Sequence, residues 1–272
     1  MISIIEKSII SKNPDSSKCE DGLYVGDDFI AVIDGVTAKG EMKWNGGMTS
    51  GCYAKELLLA ELPKLDKNIS AEDAIKQLNS CLTRAYGDKL EELRTNPREQ
   101  LQACVIIYSV ARQQVWSFGD CQCIINGKLH AHEKQVDVIM SNMRALFLEL
   151  EMLSGKTVSE LEAHDTGRDV IQPVLQRQAL LANSPSKYGY DTLNGFDLCL
   201  DRILVYDINS GDQIVLASDG YPSLQPTLEN SEKILEKTLE EDPLCCRSYK
   251  STKGYKPQNV SFDDRTYIRF TL

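Results

Sequence analysis

The chain has 272 residues, 42% of them hydrophobic and 26% charged, with 40 acidic residues against 30 basic ones and a formal net charge of −10. These proportions fit an ordinary globular protein, and the negative balance argues against nucleic acid or an anionic membrane as the main partner. No apolar run approaches membrane-spanning length, and the nine scattered cysteines include no CxxC pair, which excludes a zinc pattern and a disulfide framework.

The N-terminal stretch MISIIEKSIISKNPDSS lacks the apolar core and cleavage site of a signal peptide, so a soluble cytoplasmic protein is expected. Ile2 to Ile10 alternates weakly and predicts an edge strand, with a turn at Lys12-Asn13-Pro14-Asp15. Leu23-Tyr24-Val25 and the run Phe29-Ile30-Ala31-Val32-Ile33 predict a hairpin that turns at Gly26-Asp27-Asp28 and brings Asp21 beside Asp34. A polar loop over 37–47 precedes a helix from about Met48 to Leu62, stopped at Pro63. Ser70 and Asp73 open a second helix in capping-box manner, with Asp in place of Glu or Gln, and it runs to about Arg94.

Three strands follow, Leu101 to Val110, Gln114 to Phe118 and Gln122 to Ile125, the last turning at Asn126-Gly127. Val136 to Leu153 predicts a helix, and Lys156 to Gln178 one or two more, interrupted at Pro173. Beyond a loop at Asn183 to Gly195 come strands at Arg202 to Asp207 and Gln213 to Ala217, then a helix at Leu228 to Glu241. A basic loop over 250–259 leads to a final strand at Arg265 to Leu272. There is no regular β-α-β alternation, which excludes a doubly wound parallel fold. No repeat or linker divides the chain, so a single domain over 1–272 is expected, with a helical insert at about 136–182.

Four times an apolar strand is flanked by a tight Asp motif: Ile33-Asp34-Gly35, Phe118-Gly119-Asp120, Ala217-Ser218-Asp219-Gly220 and Phe262-Asp263-Asp264. Any one of them is an ordinary turn signal. Together with Glu20-Asp21 they predict acids gathered at one edge of a sheet or sandwich. Carboxylates that converge at buried strand ends repel one another unless a cation or proton neutralises them. Oxygen donors of this kind suit Mg²⁺ or Mn²⁺. His130, His132 and His164 lie away from these motifs, the first two on an expected solvated turn.

In their order, Cys19-Glu20-Asp21, AVIDGVT from Ala31, FGDCQC from Phe118, VLASDG from Val215 and DDRTYI from Asp263 resemble the metal-dependent Ser/Thr protein phosphatases of type 2C, the PPM family. The likeness covers nearly the whole chain, from about Lys18 to Phe270, and is nearest to a divergent bacterial branch with short loops. It implies an α+β fold, a central antiparallel β-sandwich with helices packed on both outer faces in four layers, αββα. It also implies a phosphoric monoester hydrolase acting on phosphoproteins through two Mg²⁺ or Mn²⁺ ions, with a third ion also implied.

Carried over by residue, Asp34 would bridge the two ions and Gly35 would offer its carbonyl to one of them. Asp21 would hold a metal directly or through water, with Glu20 behind it. Asp219 and Asp263 would complete the other ion's site, and Asp120 would serve the third. Asp34, Asp219 and Lys18 are the expected catalytic residues. Lys18 is the cation nearest the position, at Ser16, where many eukaryotic members carry a phosphate-binding Arg, and it lacks that residue's planar fork. Val36 stands where those members have a general-acid His, Gln102-Ala103 where a Thr or Ser is usual, and Asp264 where Asn is common. Asn194-Gly195-Phe196-Asp197 replaces an Arg-x-x-Gly-Asp segment. These departures keep a second class open, a metal-binding, phosphatase-like module of low activity that acts by binding a partner protein. The expected partner is a phosphoprotein substrate, with no nucleic acid and no membrane, and the expected state is a monomer.

Overall fold

Ten strands pair into two antiparallel five-stranded sheets. The computed structural model describes every residue except Met1, Ala38 and Pro257. Those three positions fall in the N-terminal stretch and in the loops expected over 37–47 and 250–259, and they lie outside the described residues. One sheet runs β2 (Asp21–Val25), β3 (Phe29–Gly35), β4 (Ala103–Ser109), β5 (Gln114–Phe118) and β8 (Leu204–Asp207). The other runs β1 (Ser3–Ile10), β10 (Arg265–Thr271), β9 (Gln213–Ala217), β6 (Gln122–Ile125) and β7 (Lys128–His130).

The unbroken apolar run of β3 is explained by burial on both faces. Its Ile30 and Val32 pack between the sheets with Ile106, Leu216, Ile268 and Phe270. Phe29, Ala31 and Ile33 face the opposite way, onto helices α1 (Ser50–Glu61) and α2 (Ala71–Tyr86), where Leu58, Leu78 and Leu82 meet them. The outer face of the second sheet is covered differently. Val215, Ala217 and Tyr267 pack under Tyr221, Leu224 and Leu228, the last opening helix α7 (Leu228–Glu241). Ile33, Val215 and Ile268 are thus all buried, each in a different layer of the sandwich.

The second helix expected from Ser70 to Arg94 is broken. Gly87 takes a positive φ of 52° and the chain restarts as a short α3 (Leu90–Thr95). At its start, Ser70 Oγ accepts from Asp73 N at 3.1 Å and donates to Asp73 Oδ2 at 2.7 Å. The shorter Asp bonds the hydroxyl, whereas a Glu reaches back to the cap amide. Pro173 does not end its helix. It lies inside α6 (Thr166–Leu175), which packs on α4 (Gln135–Leu153) beside a short α5 (Val158–Ala163).

These three helices form apolar clusters of their own, Val136, Met140 and Ile171 in one and Leu148, Leu161 and Leu244 in another. Arg144 of α4 is 0% exposed and fastens them to the C-terminal part of the chain. It pairs with Asp165 at 2.8 Å and donates to the carbonyls of Leu244 at 2.8 Å, Cys245 at 3.2 Å and Ser251 at 3.0 Å. No helix among the described residues is long and apolar enough to cross a membrane.

The sandwich centre should dominate stability. Ile268→Ala, at 0% exposure, is expected to cost about 2–5 kcal/mol in urea unfolding, while Ile4→Ala, at 39% exposure on the edge strand, should cost under about 1 kcal/mol. Equal losses in the two variants would contradict this placement of the core.

Candidate metal centre

Strand pairing brings the acids together. The β2–β3 register sets Asp21 opposite Asp34, and Asp34 is opposite Cys104 on β4. Asp120 lies in the turn from β5 of one sheet to β6 of the other, and Asp219 follows β9. The site therefore straddles the ends of both sheets. Asp34, Asp120 and Asp219 each offer a carboxylate oxygen, and these oxygens lie within 4.8 Å of one another. All three face a cavity of about 630 Å³ whose walls include Gly35, Thr37, Lys134, Tyr190, Asp263 and Asp264.

Two glycines make this geometry possible. A side chain at Gly35 would begin 2.4 Å from the carbonyl oxygen of Gly51 and 2.6 Å from that of Glu20, so α1 starts directly against the strand end. Gly119 holds φ at 110°, and a Cβ there would meet Cys104 at 2.4 Å.

The remaining acids sit around this centre. Asp21 is buried behind Asp34 and its Oδ2 accepts from Thr266 Oγ1 at 2.9 Å. Glu20 accepts from Thr49 Oγ1 at 2.8 Å and from Lys12 Nζ at 3.2 Å. Asp263 pairs with Lys12 at 3.2 Å and with Lys253 at 2.5 Å. Asp264 accepts from the backbone amides of Lys12 at 2.8 Å and Glu20 at 3.2 Å and pairs with Lys12 Nζ at 3.1 Å. That work explains an Asp at 264, since a carboxylate serves two amides and an ammonium at once. Lys18 is not brought to the centre. Its side chain is 64% exposed and pairs with Asp15 at 3.5 Å.

Sequence reasoning missed Lys12, Lys134 and Lys253. Lys134 Nζ lies 2.6 Å from Asp120 Oδ2, both side chains being mostly buried. The only local signal was a cation at a strand end, Lys12, or at a helix start, Lys134. Their acidic partners lie up to 252 positions away in the chain.

Charge separates these groups into two kinds. Burial pushes the Asp34, Asp219 and Asp21 carboxyls well above the ordinary range; the first two are raised further by neighbouring aspartates, and Asp21 by Asp264 and Asp263. Burial acts the same way on Asp120 and Asp263, but Lys134 outweighs it at Asp120, and Lys253 and Lys12 outweigh it at Asp263, so both are held low. With every proton removed, the seven carboxylates of Glu20, Asp21, Asp34, Asp120, Asp219, Asp263 and Asp264 against the ammonium groups of Lys12, Lys134 and Lys253 would leave four negative charges, the charge of two divalent cations. Asp120 Oδ1 is buried without a hydrogen-bond partner. Hard oxygen donors, an orphaned oxygen and that charge deficit fit Mg²⁺ or Mn²⁺.

No family model matches the chain, and no curated protein matches it. Solved structures align with it over its whole length at low identity. The Mycobacterium tuberculosis serine/threonine phosphatase PstP/Ppp is 16% identical, with 99% of each chain covered and a TM-score of 0.48. The S. agalactiae serine/threonine phosphatase is 12% identical, covering 100% of this chain and 99% of that one, with a TM-score of 0.49. RsbX in complex with magnesium is 12% identical over 100% of both chains, with a TM-score of 0.45.

The raised carboxyls make a signed prediction for metal-free protein. Native Asp21, Asp34 and Asp219 keep protons that the unfolded chain releases near the ordinary carboxylate value of about 4, so stability falls as pH rises from there through the raised values. The contributions of Asp120 and Asp263 run the other way and are lost only as pH falls below that value. The melting temperature in EDTA should therefore drop as pH rises from the ordinary carboxylate range through neutrality, and millimolar Mn²⁺ should restore it at the upper end and do little at the lower. A melting temperature flat over this range and unmoved by Mn²⁺ would contradict the cluster.

Proposed function

We propose that the chain is a divergent metal-dependent phosphoprotein phosphatase of the type 2C kind, hydrolysing phosphoserine or phosphothreonine monoesters in the cavity above Asp34. The observation that carries this is the convergence of Asp34, Asp120 and Asp219 within 4.8 Å on the wall of a cavity of about 630 Å³. A volume of that size holds a phosphorylated side chain and its near neighbours. The motif order from Glu20-Asp21 to Asp263-Asp264 supports the same assignment. All nine cysteines are free thiols, which supports a reducing, cytoplasmic setting.

Asp34 would be shared between two Mg²⁺ or Mn²⁺ ions, with the Gly35 carbonyl and Asp21 on one side and Asp219 and Asp263 on the other. Two divalent ions there supply Lewis acidity, which acidifies water and offsets the charge of the phosphoryl oxygens. The chain's own residues do the rest. Glu20, tied to Thr49 and Lys12, fixes the strand entering the site. Lys134 compensates Asp120, so that carboxylate calls less strongly for a third ion. Lys253, beside Asp263 on the cavity wall, is placed to meet a phosphate where Lys18 is not. The helices around Val138, Asn142 and Leu175 close one side against bulk water. No Ser or Cys nucleophile is required.

One observation favours the low-activity partner-binding alternative. Lysines already answer Asp120 and Asp263, which leaves fewer bare carboxylates for metal. Kinetics separate the two. With Mn²⁺ and para-nitrophenyl phosphate or a phosphopeptide, Asp34→Asn should lower kcat at least about a hundredfold. Asp219→Asn should lose about as much but regain part of it in excess Mn²⁺. Asp27→Asn, in the exposed hairpin turn, should stay within about twofold of wild type. Wild-type activity in Asp34→Asn, or no turnover by the wild type at all, would favour the binding module.

A further inference from the structure

The same cavity has a basic wall that the proposed chemistry does not use. Lys39, Arg247 and Lys250 line it, and none of them forms an ion pair among the described residues. Lys250 Nζ donates to Asn142 Oδ1 at 2.8 Å, and Arg247 Nη2 reaches only the Met152 sulfur at 3.3 Å. In a chain with 40 acids and 30 bases, Arg247 and Lys250 are left without a carboxylate in an ion pair among the described residues, and Lys39 has Asp137 near it but no ion pair. Burial first, and then the nearness of Arg168 and Lys253, push the Lys39 ammonium down to about 7 against the pull of Asp137 and Glu20.

This wall is built. Asp242, nearly fully buried, accepts from the backbone amides of Cys246 at 3.1 Å, Arg247 at 2.7 Å and Ser248 at 3.0 Å. Arg144 holds the carbonyls of Leu244, Cys245 and Ser251 from the other side, and Arg168 Nη1 donates to the Thr252 carbonyl. Segment 244–252 is thus pinned along its length, and the cations it carries are presented to the cavity at little further ordering cost.

We propose that the Lys39–Arg247–Lys250 wall is a subsite for negative charge next to the phosphate, so that the favoured substrate is a phosphoserine or phosphothreonine segment flanked by acidic residues. This rests on the phosphatase assignment of the same cavity. Cations held in place along a cavity wall attract acidic ligands and confer selectivity between them.

The test uses fluorescently labelled phosphopeptides that differ only in acidic or neutral flanks. Binding is measured by anisotropy in EDTA, and turnover is measured in Mn²⁺. The acidic peptide should bind about tenfold tighter than the neutral one, with the margin shrinking as salt rises from about 50 to about 300 mM. The margin should vanish in Arg247→Gln with Lys250→Gln, two exposed positions whose replacement spares the fold, and should shrink in Lys39→Gln. Lys67→Gln, an exposed lysine far from the cavity, removes a like charge and should keep the margin. The kcat/KM ratio of the two peptides should follow the same order.

Equal binding of acidic and neutral peptides overturns the proposal. So does a margin that survives the double variant, because the wall then serves only to balance the nearby carboxylates. If the protein turns over nothing, the phosphatase assignment fails, while the binding comparison still decides the subsite.

Discussion

Carboxylates confined to one poorly solvated pocket cannot all remain ionised without cations, and this constraint organises the molecule around its sheet ends. Removing a carboxylate from water costs several kcal/mol even after relaxation, and each further acid nearby adds repulsion. The two sheets nevertheless deliver acids to one place. Asp34 ends a strand of one sheet, Asp219 follows a strand of the other, and Asp120 sits in the turn between them. A sandwich whose stability is reduced at that edge must be stable elsewhere, and the apolar layers on either side of β3 supply that stability.

The lysines show how the deficit is shared. Lys12, Lys134 and Lys253 reach in from the end of β1, the start of α4 and the C-terminal loop, and answer Asp120, Asp263, Asp264 and Glu20. Asp34 and Asp219 are left without an ammonium group among the described residues, and their protons are held up by burial in its place. The groups most distorted by folding are therefore those on which a divalent cation would act most strongly. Functional sites commonly hold such perturbed groups because the perturbation is relieved by ligand.

Much of this arrangement was legible in the chain. Turn chemistry at Gly26-Asp27-Asp28 and alternation in the flanking runs were enough to pair Asp21 with Asp34, and the register agrees. Strands β5, β6 and β9 and helix α7 fall at their expected bounds because turn residues mark both ends. The failures have physical causes. Gly87 broke a helix whose apolar stripe continued past it, because a stripe records burial and not backbone continuity. Lys18 was favoured for nearness in sequence to Glu20-Asp21, yet the 3₁₀ turn that carries it points its side chain to solvent and Asp15. Lys12 and Lys134 were invisible because an ion pair between distant segments has no local pattern, and only the closed sandwich shows which acid a lysine meets.

The central claim is that the bare carboxylates form a site for divalent ions with Asp34 at its centre. Equilibrium dialysis with Mn²⁺, counting ions bound per chain in wild type and in Asp34→Asn, tests it most directly. The account predicts two ions per wild-type chain at millimolar Mn²⁺, with Lys134 standing in for any third, and a loss of both in the variant. A wild-type chain that binds no ion at that concentration, or an Asp34→Asn variant that binds as many as wild type, would contradict it.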